Sequence, residues 1–161
     1  MKLNTRLKKI GDLVDTNSLV LDIGCDHAFL DIYLVKERCF KKAIASDIGE
    51  GPLKSALDNI KKYKVEDKIE LRLGDGLSTY TDDIDTAVVS GMGGRTIIGI
   101  FKNNFAITKK LKQIILSPNN YQEDVRKFFR KNGFYIEDEE LVKEGKYIYQ
   151  IIKSIWLMQN A

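Results

Sequence analysis

Apolar residues recur along this chain at two different spacings, which predicts alternating strands and helices. Short apolar runs bounded by Gly, Asp or Ser are typical of buried strands, whereas apolar residues three or four positions apart are typical of amphipathic helices. Seven segments have the first pattern: residues 19–23, 42–47, 69–73, 85–90, 113–116, 134–142 and 147–157. Five segments have the second pattern: residues 3–14, about 28–38, 51–60, 95–105 and 122–132.

The order of these segments predicts how the strands are arranged. Strands that alternate with helices form a mostly parallel sheet with helices on both faces. The last two strands follow one another directly, turn at Glu144-Gly145 and should pair antiparallel. We therefore expect an α/β fold with a seven-stranded, mostly parallel sheet and an antiparallel C-terminal hairpin. No internal repeat or low-complexity linker divides residues 1–161, so a single domain is expected.

The segment at residues 19–30 is the centre of the candidate site. A buried strand breaks at Gly24, and helical spacing resumes at Ala28, which together form the first half of a nucleotide-binding unit. Asp47 closes the next strand, 23 positions after Gly24. This separation is close to the roughly 20 residues between a glycine loop and the carboxylate that binds a ribose. Asp47 is therefore the candidate ribose ligand.

The loop after the first strand departs from the dinucleotide pattern. A pyrophosphate requires bare backbone, supplied by G-x-G-x-x-G, but here only Gly24 remains, with Asp26 and Ala28 following. Asp26 would repel a pyrophosphate, yet it suits a ligand with a cationic centre or an amine. S-adenosylmethionine carries both a sulfonium and an ammonium and has no phosphate. The alternative is that D-x-G is a plain turn signal, as in many α/β proteins.

Two further glycine-containing loops follow predicted strands. Asp75, in Gly74-Asp75-Gly76-Leu77, could accept a hydrogen bond from an adenine amino group, or the segment could be a plain Asp-Gly turn. The loop Gly91-Met92-Gly93-Gly94 has three glycines in four positions, which indicates close approach of a ligand or substrate to the backbone. A flexible helix entry is the alternative. Ligands of open α/β sheets bind where such loops lie, at the carboxyl ends of the strands.

Composition narrows the class of protein. With 26 Lys and Arg against 23 Asp and Glu, the net charge is +3 and the pI about 8.7, which permits a polyanionic partner without requiring one. Two cysteines without CxxC spacing and a single histidine argue against a metal site or a disulfide framework, and favour a reducing cytoplasm. No apolar run approaches 18 residues and no apolar signal core is present, so we expect a protein that is neither exported nor membrane-spanning.

At these loops the sequence resembles the class I, S-adenosylmethionine-dependent methyltransferases. More closely, it resembles the bacterial family of tRNA adenine-22 N1-methyltransferases. The resemblance covers residues 1–155 and rests on four loop segments. These are residues 22–30, Gly74-Asp75-Gly76-Leu77, Gly91-Met92-Gly93-Gly94 and Ser117-Pro118-Asn119. The resemblance implies a Rossmann-like fold, S-adenosylmethionine as cofactor with S-adenosylhomocysteine as product, a tRNA substrate and a monomer.

The resemblance also implies site residues. Those expected to bind the cofactor are Asp22, Gly24, Cys25, Asp26, Asp47, Ile48, Asp75, Gly76 and Gly91. Those expected to act in catalysis are Asp26, His27, Met92 and Asn119. Adenine N1 has an in-plane lone pair and no proton near neutral pH, so its methylation needs orientation rather than an obligatory base.

The roles of three side chains remain open at this stage. Asp26 is expected to stabilise the cationic methylated base, or else to bind the exocyclic amine or the cofactor's ammonium. His27 should order the loop or contact the base. Asn119 would offer its amide to a base turned out of its helix, with Phe29 and Tyr121 as aromatic surfaces. Ser117-Pro118-Asn119 follows the fifth strand, not the fourth, and is not the N-P-P-Y motif of amino-methylating enzymes. The absence of that motif favours a ring nitrogen as the target.

Two features depart from the family's pattern. Asp31 follows Leu30 where the family commonly has proline, which predicts a local difference at the helix entry. The family's C-terminal coiled-coil extension has no counterpart up to Ala161, so weak tRNA binding is expected. Two basic clusters should provide it from solvent-exposed helix faces: Arg6, Lys8 and Lys9, then Arg126, Lys127, Arg130 and Lys131.

Other function classes compete with this interpretation. A methyltransferase acting on another RNA or on a small molecule would have the same cofactor loops. A non-catalytic module that binds S-adenosylmethionine or RNA would have the same fold, although the presence of all four loop segments disfavours it. A nucleotide-dependent oxidoreductase is disfavoured by the lost glycines and by Asp26.

Overall fold

A computed structural model describes residues 2–157 as seven strands and six α-helices. The strands are β1 (Val20–Ile23), β2 (Ala43–Asp47), β3 (Ile69–Leu73), β4 (Thr86–Ser90), β5 (Gln113–Ser117), β6 (Phe134–Glu144) and β7 (Tyr147–Trp156). The helices are α1 (Thr5–Leu13), α2 (Phe29–Lys36), α3 (Glu50–Lys62), α4 (Gly94–Lys102), α5 (Phe105–Thr108) and α6 (Gln122–Lys131). The ends of the predicted domain, residue 1 and residues 158–161, lie outside the described residues.

All seven strands belong to one sheet, in the order β3-β2-β1-β4-β5-β7-β6. Strands β1 to β5 are parallel, and β7 runs antiparallel to both β5 and β6. The predicted sheet and hairpin are therefore confirmed. The strand order reverses between β1 and β4, and such a switch point opens a crevice at the carboxyl ends of the strands.

Helices cover both faces of the sheet, as predicted. Helices α1, α2 and α3 pack on one face, where Val20 belongs to their apolar core. Helices α4 and α6 pack on the other face, with Leu21 and Ile23. Because side chains alternate along a strand, Asp22 lies on the same face as Val20, beneath α2. A carboxylate therefore lies in the middle of an otherwise apolar layer.

Three differences from the sequence prediction have local causes. The helix predicted at 95–105 ends at Lys102, because the Asn104 amide donates to Ile100 O and its carbonyl accepts from Thr108 N, which closes the short helix α5. A 3₁₀ turn at Gly76–Thr79 was missed. The last hairpin turns at residues 145–146, not 144–145, since Gly145 supplies the positive φ of +59°.

Within residues 2–157, no helix is long and apolar enough to cross a membrane.

Candidate active site

Two adjoining cavities lie at the carboxyl ends of the central strands. Their volumes are about 410 and 500 Å³, and Gly24, Asp26 and Ser90 line both. The smaller one, here called the amino cavity, is also lined by Asp22, Cys25, His27, Arg6, Glu144 and Tyr149. The larger one, here called the ribose cavity, is also lined by Asp47, Ile48, Asp75, Gly76, Gly91, Met92 and Ile100. Each of the nine predicted cofactor residues therefore lines one or both of these adjoining cavities.

Asp47 is held rigidly at the end of β2. Its Oδ2 accepts a hydrogen bond of 3.2 Å from the Asp26 backbone N–H, and its Oδ1 accepts one of 3.0 Å from the Gly49 N–H. Each carboxylate oxygen keeps further lone pairs for a ligand. The bonds link the loop after β1 to the loop after β2, so the position of Asp47 and the conformation of Asp26 depend on each other.

The turn after β1 is fixed by β2 and by Met92. The N–H groups of Gly24 and Cys25 both donate to Ser46 O at 2.9 Å. Gly24 has φ +74°, and a Cβ built on it would lie 2.6 Å from the Met92 Cε atom. A side chain at position 24 would therefore be strained and would also displace Met92, which lines the ribose cavity.

Asp31 does more than alter the helix entry. Its side chain is fully buried in the first turn of α2, and neither carboxyl oxygen finds a hydrogen-bond donor among the described residues. Burial raises the pKa of Asp31 well above its usual range, and the charge of Asp22 adds to the effect. Burial likewise raises the pKa of Asp22 to about 6, while a hydrogen bond from Asp31 counteracts part of that shift. The prediction of a purely local difference at Asp31 is therefore wrong.

Cys25 is a buried thiol beside these carboxyl groups. Burial raises the pKa of Cys25 far above its usual range, and the negative charges of Asp22 and Asp47 contribute. A thiol held neutral in this way is a poor nucleophile. Cys25 therefore serves as an apolar wall of the amino cavity.

Asp26 and His27 lie in the exposed part of the loop after β1, at the edge of the amino cavity. The Asp26 Oδ2 and His27 Nε2 atoms are 3.6 Å apart, and both side chains are more than half exposed. Asp26 has a positive φ of +50°, which its N–H bond to Asp47 stabilises. The His27 ring lies 5.5 Å from the Phe29 ring, and the Phe29 side chain packs on the core. This loop thus presents an anionic group and an imidazole to solvent from a fixed backbone.

Two glycines of the loop after β4 have different surroundings. Gly91, with φ +81°, has open space beside it and lines the ribose cavity, in agreement with the expected approach of a ligand. A Cβ on Gly94 would instead lie 2.4 Å from Asn120 O, and Gly94 N donates to the Asn120 Oδ1 atom at 2.9 Å. Gly94 is therefore required for packing against the loop after β5, whereas Gly91 leaves its backbone open to the cavity.

Asn119 joins the loops after β4 and β5. Its Nδ2 donates to Gly91 O at 2.7 Å, and its backbone N–H donates to Met92 O at 2.8 Å. Its Oδ1 accepts a bond of 3.2 Å from the Arg6 Nη2 atom. Asn119 lines neither cavity but fixes the backbone of two residues that do. One of its two amide hydrogens remains available.

Arg6 was predicted on an outer helix face, and that prediction is wrong. The guanidinium bonds Ser117 Oγ at 2.9 Å and Ser117 O at 2.7 Å, in addition to Asn119, and stacks 4.0 Å from the Tyr149 ring centroid. Burial lowers the pKa of Arg6, although Tyr149 and Glu144 act in the opposite direction. Sequence spacing places Arg6 on a helix face but contains no signal for its partners, which lie more than 100 positions away.

The second predicted basic cluster also divides. Arg126 is only 17% exposed in its side chain and pairs with Glu123, Glu139 and Gln150. Lys127, Arg130 and Lys131 are exposed, as predicted. Beside this helix, the Arg95 guanidinium stacks 4.1 Å from the ring centroid of Tyr121, and nearly half of the Tyr121 surface is exposed. That stacked pair joins the end of the loop after β5 to the first turn of α4.

A third cavity, of about 580 Å³, lies at the opposite end of the sheet. Leu19, Lys42 and Asp85, which directly precede β1, β2 and β4, contribute to its wall. Although it is larger, it lies at the amino ends of the strands, away from the switch-point loops where open α/β sheets bind ligands. Across residues 2–157, no three His, Cys, Asp or Glu side chains are grouped to hold a metal ion.

Comparison with known proteins agrees with this geometry. A family model described as a methyltransferase domain matches residues 3–152. The tRNA (adenine(22)-N(1))-methyltransferase of Bacillus subtilis is 29% identical over 153 residues, which are 94% of this chain and 64% of that protein. This chain therefore spans about two thirds of the length of that relative.

Two solved structures share the fold at higher identity. A Streptococcus pneumoniae protein crystallised with S-adenosyl-L-methionine superposes with a TM-score of 0.92 at 31% identity, over 99% of this chain and 76% of that chain. An M. capricolum protein crystallised with S-adenosyl-homocysteine has a TM-score of 0.86 at 31% identity, over 96% and 69% of the two chains. The family model covers nearly the whole chain, and the S. pneumoniae protein, which is 31% identical, is described as a putative tRNA (m1A22) methyltransferase. The chain therefore belongs to the methyltransferase domain family and, within it, to the bacterial tRNA (adenine-22 N1)-methyltransferases.

Proposed function

We propose that this chain transfers a methyl group from S-adenosylmethionine to N1 of an adenine in tRNA. The observation that carries the proposal is the pair of adjoining amino and ribose cavities, which share Gly24, Asp26 and Ser90 and between them are lined by all nine predicted cofactor residues. Relatives crystallised with S-adenosylmethionine and with S-adenosylhomocysteine support the same cofactor here. Bound S-adenosylmethionine would supply an electrophilic methyl group on a sulfonium.

The residues of the ribose cavity fit an adenosine. Asp47 projects two carboxylate oxygens, already oriented by backbone N–H groups, toward the position for ribose hydroxyls. Ile48 and Ile100 provide apolar walls for a planar base, and Ile48 is 71% exposed as long as nothing covers it. Asp75 is the acceptor for an adenine amino group. An exposed apolar side chain next to hydrogen-bonding carboxylates is typical of a nucleoside site.

The residues of the amino cavity fit an amino acid. Asp22 supplies a carboxylate for the ammonium group, and the neutral Cys25 thiol and Leu30 supply apolar wall. Arg6 lines the same cavity and can approach a ligand carboxylate. The two cavities meet at Gly24, Asp26 and Ser90, which line both, and this puts the sulfonium position between them.

The chain's contribution to the reaction is orientation and charge stabilisation. Adenine N1 needs no proton removed, so in-line geometry supplies most of the rate increase. The base becomes cationic as the bond forms, and Asp26, on the rim beside both cavities, can stabilise that charge. His27, 3.6 Å from Asp26, orders this carboxylate or contacts the base directly.

The loops after β4 and β5 would receive the adenine. N1 is on the Watson-Crick edge, so a paired adenine must first be turned out of its helix. Met92 provides an apolar contact, and the remaining amide hydrogen of Asn119 provides a donor at the same rim. The exposed face of Tyr121, backed by Arg95, provides a stacking surface.

We also propose that residues 1–161 form a single domain that acts as a monomer in the cytoplasm. Each group assigned a role lies on one chain, so the chemistry requires no second copy. The tRNA substrate supports the cytoplasm as the location. Light scattering coupled to size-exclusion chromatography tests the monomer, and a dimer mass would contradict it.

Methyl incorporation from radiolabelled S-adenosylmethionine into unmodified tRNA tests the function. We expect incorporation by the wild type and strong loss in Asp47→Ala, with no incorporation into a transcript that lacks the target adenine. Calorimetry with S-adenosylmethionine and with NADH distinguishes the enzyme classes, since only the first should bind. Binding of S-adenosylmethionine without methyl transfer would favour a non-catalytic module.

A further inference from the structure

A pair of buried carboxyl groups underlies the amino cavity. Asp22 on β1 is 4% exposed and lines the cavity, whereas Asp31 on α2 is fully buried behind it. Treated as a carboxylate, Asp31 has no donor for either oxygen in the described part of the chain. An unpaired buried carboxylate would cost several kcal/mol, and proteins avoid this by keeping such a group protonated.

Protonation of Asp31 removes the cost of burying an unpaired negative charge. Its O–H becomes a donor, and the carboxylate of Asp22 is an acceptor on the adjacent strand beneath α2. Burial raises the pKa of both groups. Asp31 is fully buried behind the cavity, whereas Asp22 lines it, so one shared proton belongs to Asp31 and the negative charge belongs to Asp22. The pair therefore titrates as a unit, as two carboxyl groups in one site do.

Other ionisable groups face the same region from each neighbouring element. They are Cys25 and Asp26 in the loop after β1, Asp47 on β2, His27 before α2, Arg6 on α1, Glu144 on β6 and Tyr149 on β7. Asp47 raises the pKa of Asp22 by like-charge repulsion, and the neutral Cys25 adds no charge. Arg6 is held by Ser117 and Asn119, and among these residues no cation pairs with Asp22.

We propose that Asp31 is a positioning residue, which donates its carboxyl proton to Asp22 and thereby keeps Asp22 ionised toward the ammonium group of the bound S-adenosyl ligand. This inference rests on the proposed cofactor site. Asp31 touches no ligand and acts only through Asp22. The consequence is a cofactor affinity that depends on pH in the weakly acidic range.

The sign of this dependence follows from the raised pKa of Asp22, about 6. Above that pH Asp22 is anionic and can pair with an ammonium, whereas below it Asp22 is protonated and the pairing is lost. Apparent affinity falls in proportion to the competent fraction. For a group with a pKa of about 6, binding at pH 5 should be about tenfold weaker than at pH 7.

Calorimetric titrations of two ligands over this pH range test the proposal. S-adenosylhomocysteine carries the ammonium, and 5′-methylthioadenosine lacks the whole amino acid part. For the wild type we expect S-adenosylhomocysteine to weaken about tenfold from pH 7 to pH 5, while 5′-methylthioadenosine changes little. Asp22→Asn should abolish the difference between the two pH values. Equal pH profiles for both ligands would overturn the inference.

Two substitutions at position 31 separate positioning from simple packing. Asp31→Asn retains a donor to Asp22, so S-adenosylhomocysteine should bind at pH 7 within about twofold of wild type. Asp31→Leu lacks the donor, so the midpoint should move to higher pH and binding at pH 7 should weaken about tenfold, with 5′-methylthioadenosine unaffected.

The remaining outcomes are also decisive. If Asp31→Asn loses S-adenosylhomocysteine selectively, or if both variants lose both ligands equally, Asp31 is only a packing residue and the inference is overturned. If the wild type binds neither ligand, the proposed function fails, and this inference fails with it.

Discussion

The two halves of the site are built in different ways. The cosubstrate half, comprising the loops after β1, β2 and β3, is held by bonds between neighbouring strand ends, such as those from Asp26 and Gly49 to Asp47. The acceptor half, comprising the loops after β4 and β5, is held by tight glycine packing and by Arg6 from the distant helix α1. Local bonds therefore shape the cofactor site, whereas long-range bonds shape the base site.

The largest effect is expected from breaking the cosubstrate half at Asp47. Asp47→Ala removes the acceptor for two backbone N–H groups and for the ribose, so cofactor binding should weaken by about 1.5 to 3 kcal/mol. Calorimetry with S-adenosylhomocysteine measures this change. Asp47→Asn retains one oxygen and should lose less. An unchanged dissociation constant in Asp47→Ala would remove Asp47 from the site.

The acceptor half can be broken at Gly94. Gly94→Ala introduces a methyl group 2.4 Å from Asn120 O, which is backbone and cannot move aside cheaply. The free energy of unfolding should fall by about 1 to 3 kcal/mol, as measured by urea denaturation.

Gly51 in α3 is the matched control for Gly94. A Cβ there would meet nothing within 4 Å, so Gly51→Ala should be neutral or slightly stabilising. Equal destabilisation by the two substitutions would mean that the contact between the loops after β4 and β5 is not a determinant of stability.

The link from α1 is broken by substituting Arg6. Arg6→Lys keeps a positive charge but loses the fork that bonds Ser117 and Asn119 together, so turnover with tRNA should fall by about 1 to 2 kcal/mol in activation free energy. Cofactor affinity should change much less. Lys8→Ala, on the same helix but in an exposed pair with Asp12, is the control and should be silent. If both variants behaved alike, Arg6 would have no special part in the acceptor half.

Asp26 belongs to both halves and tests where they meet. If it stabilises charge on the methylated base, Asp26→Asn should lower kcat by about tenfold and leave cofactor affinity nearly unchanged. This is less than a buried electrostatic group would supply, because the side chain is 68% exposed. Equal losses in kcat and cofactor affinity would instead assign Asp26 to the ammonium of the cofactor.

The smallest effect concerns tRNA binding by α6. Lys127, Arg130 and Lys131 are exposed, and each phosphate contact contributes roughly 0.7 to 0.9 to the salt slope of log affinity. Reversal of Lys127 and Arg130 should therefore reduce that slope by about 1 to 2. Reversal of Lys61 and Lys62 on α3 alters the net charge equally and is the control. Equal slopes for the two variants would mean that the α6 face does not contact RNA.

The same contrast explains what the sequence could predict. Asp47 ends β2, Asp75 lies just after β3, and Gly91 directly follows β4. These positions follow from hydrophobic pattern and spacing, because parallel strands bring their carboxyl ends to one edge of the sheet. The sheet was therefore predicted correctly, and the same spacing brings the nine predicted cofactor residues to the two cavities, where their roles stay predictions. Helix and strand ends shifted by a few residues, where caps such as Asn104 depend on side-chain bonds.

The contacts that the sequence did not reveal join distant segments. Arg6 was assigned to solvent because helical periodicity records which face a residue occupies but not what crosses over it. The packing role of Gly94 was not predicted, because composition does not distinguish a glycine that a ligand approaches from one that another loop approaches. Asp31 was treated as local because its partner, Asp22, became its neighbour only when α2 packed on β1.

Nucleoside mass spectrometry of tRNA incubated with the protein and S-adenosylmethionine tests the central claim most directly. Chromatographic standards separate 1-methyladenosine from its isomer methylated at the exocyclic nitrogen, which has the same mass. The account predicts 1-methyladenosine with the wild type and its near absence with Asp47→Ala. Methylation at the exocyclic nitrogen, or on a base other than adenine, would contradict the account.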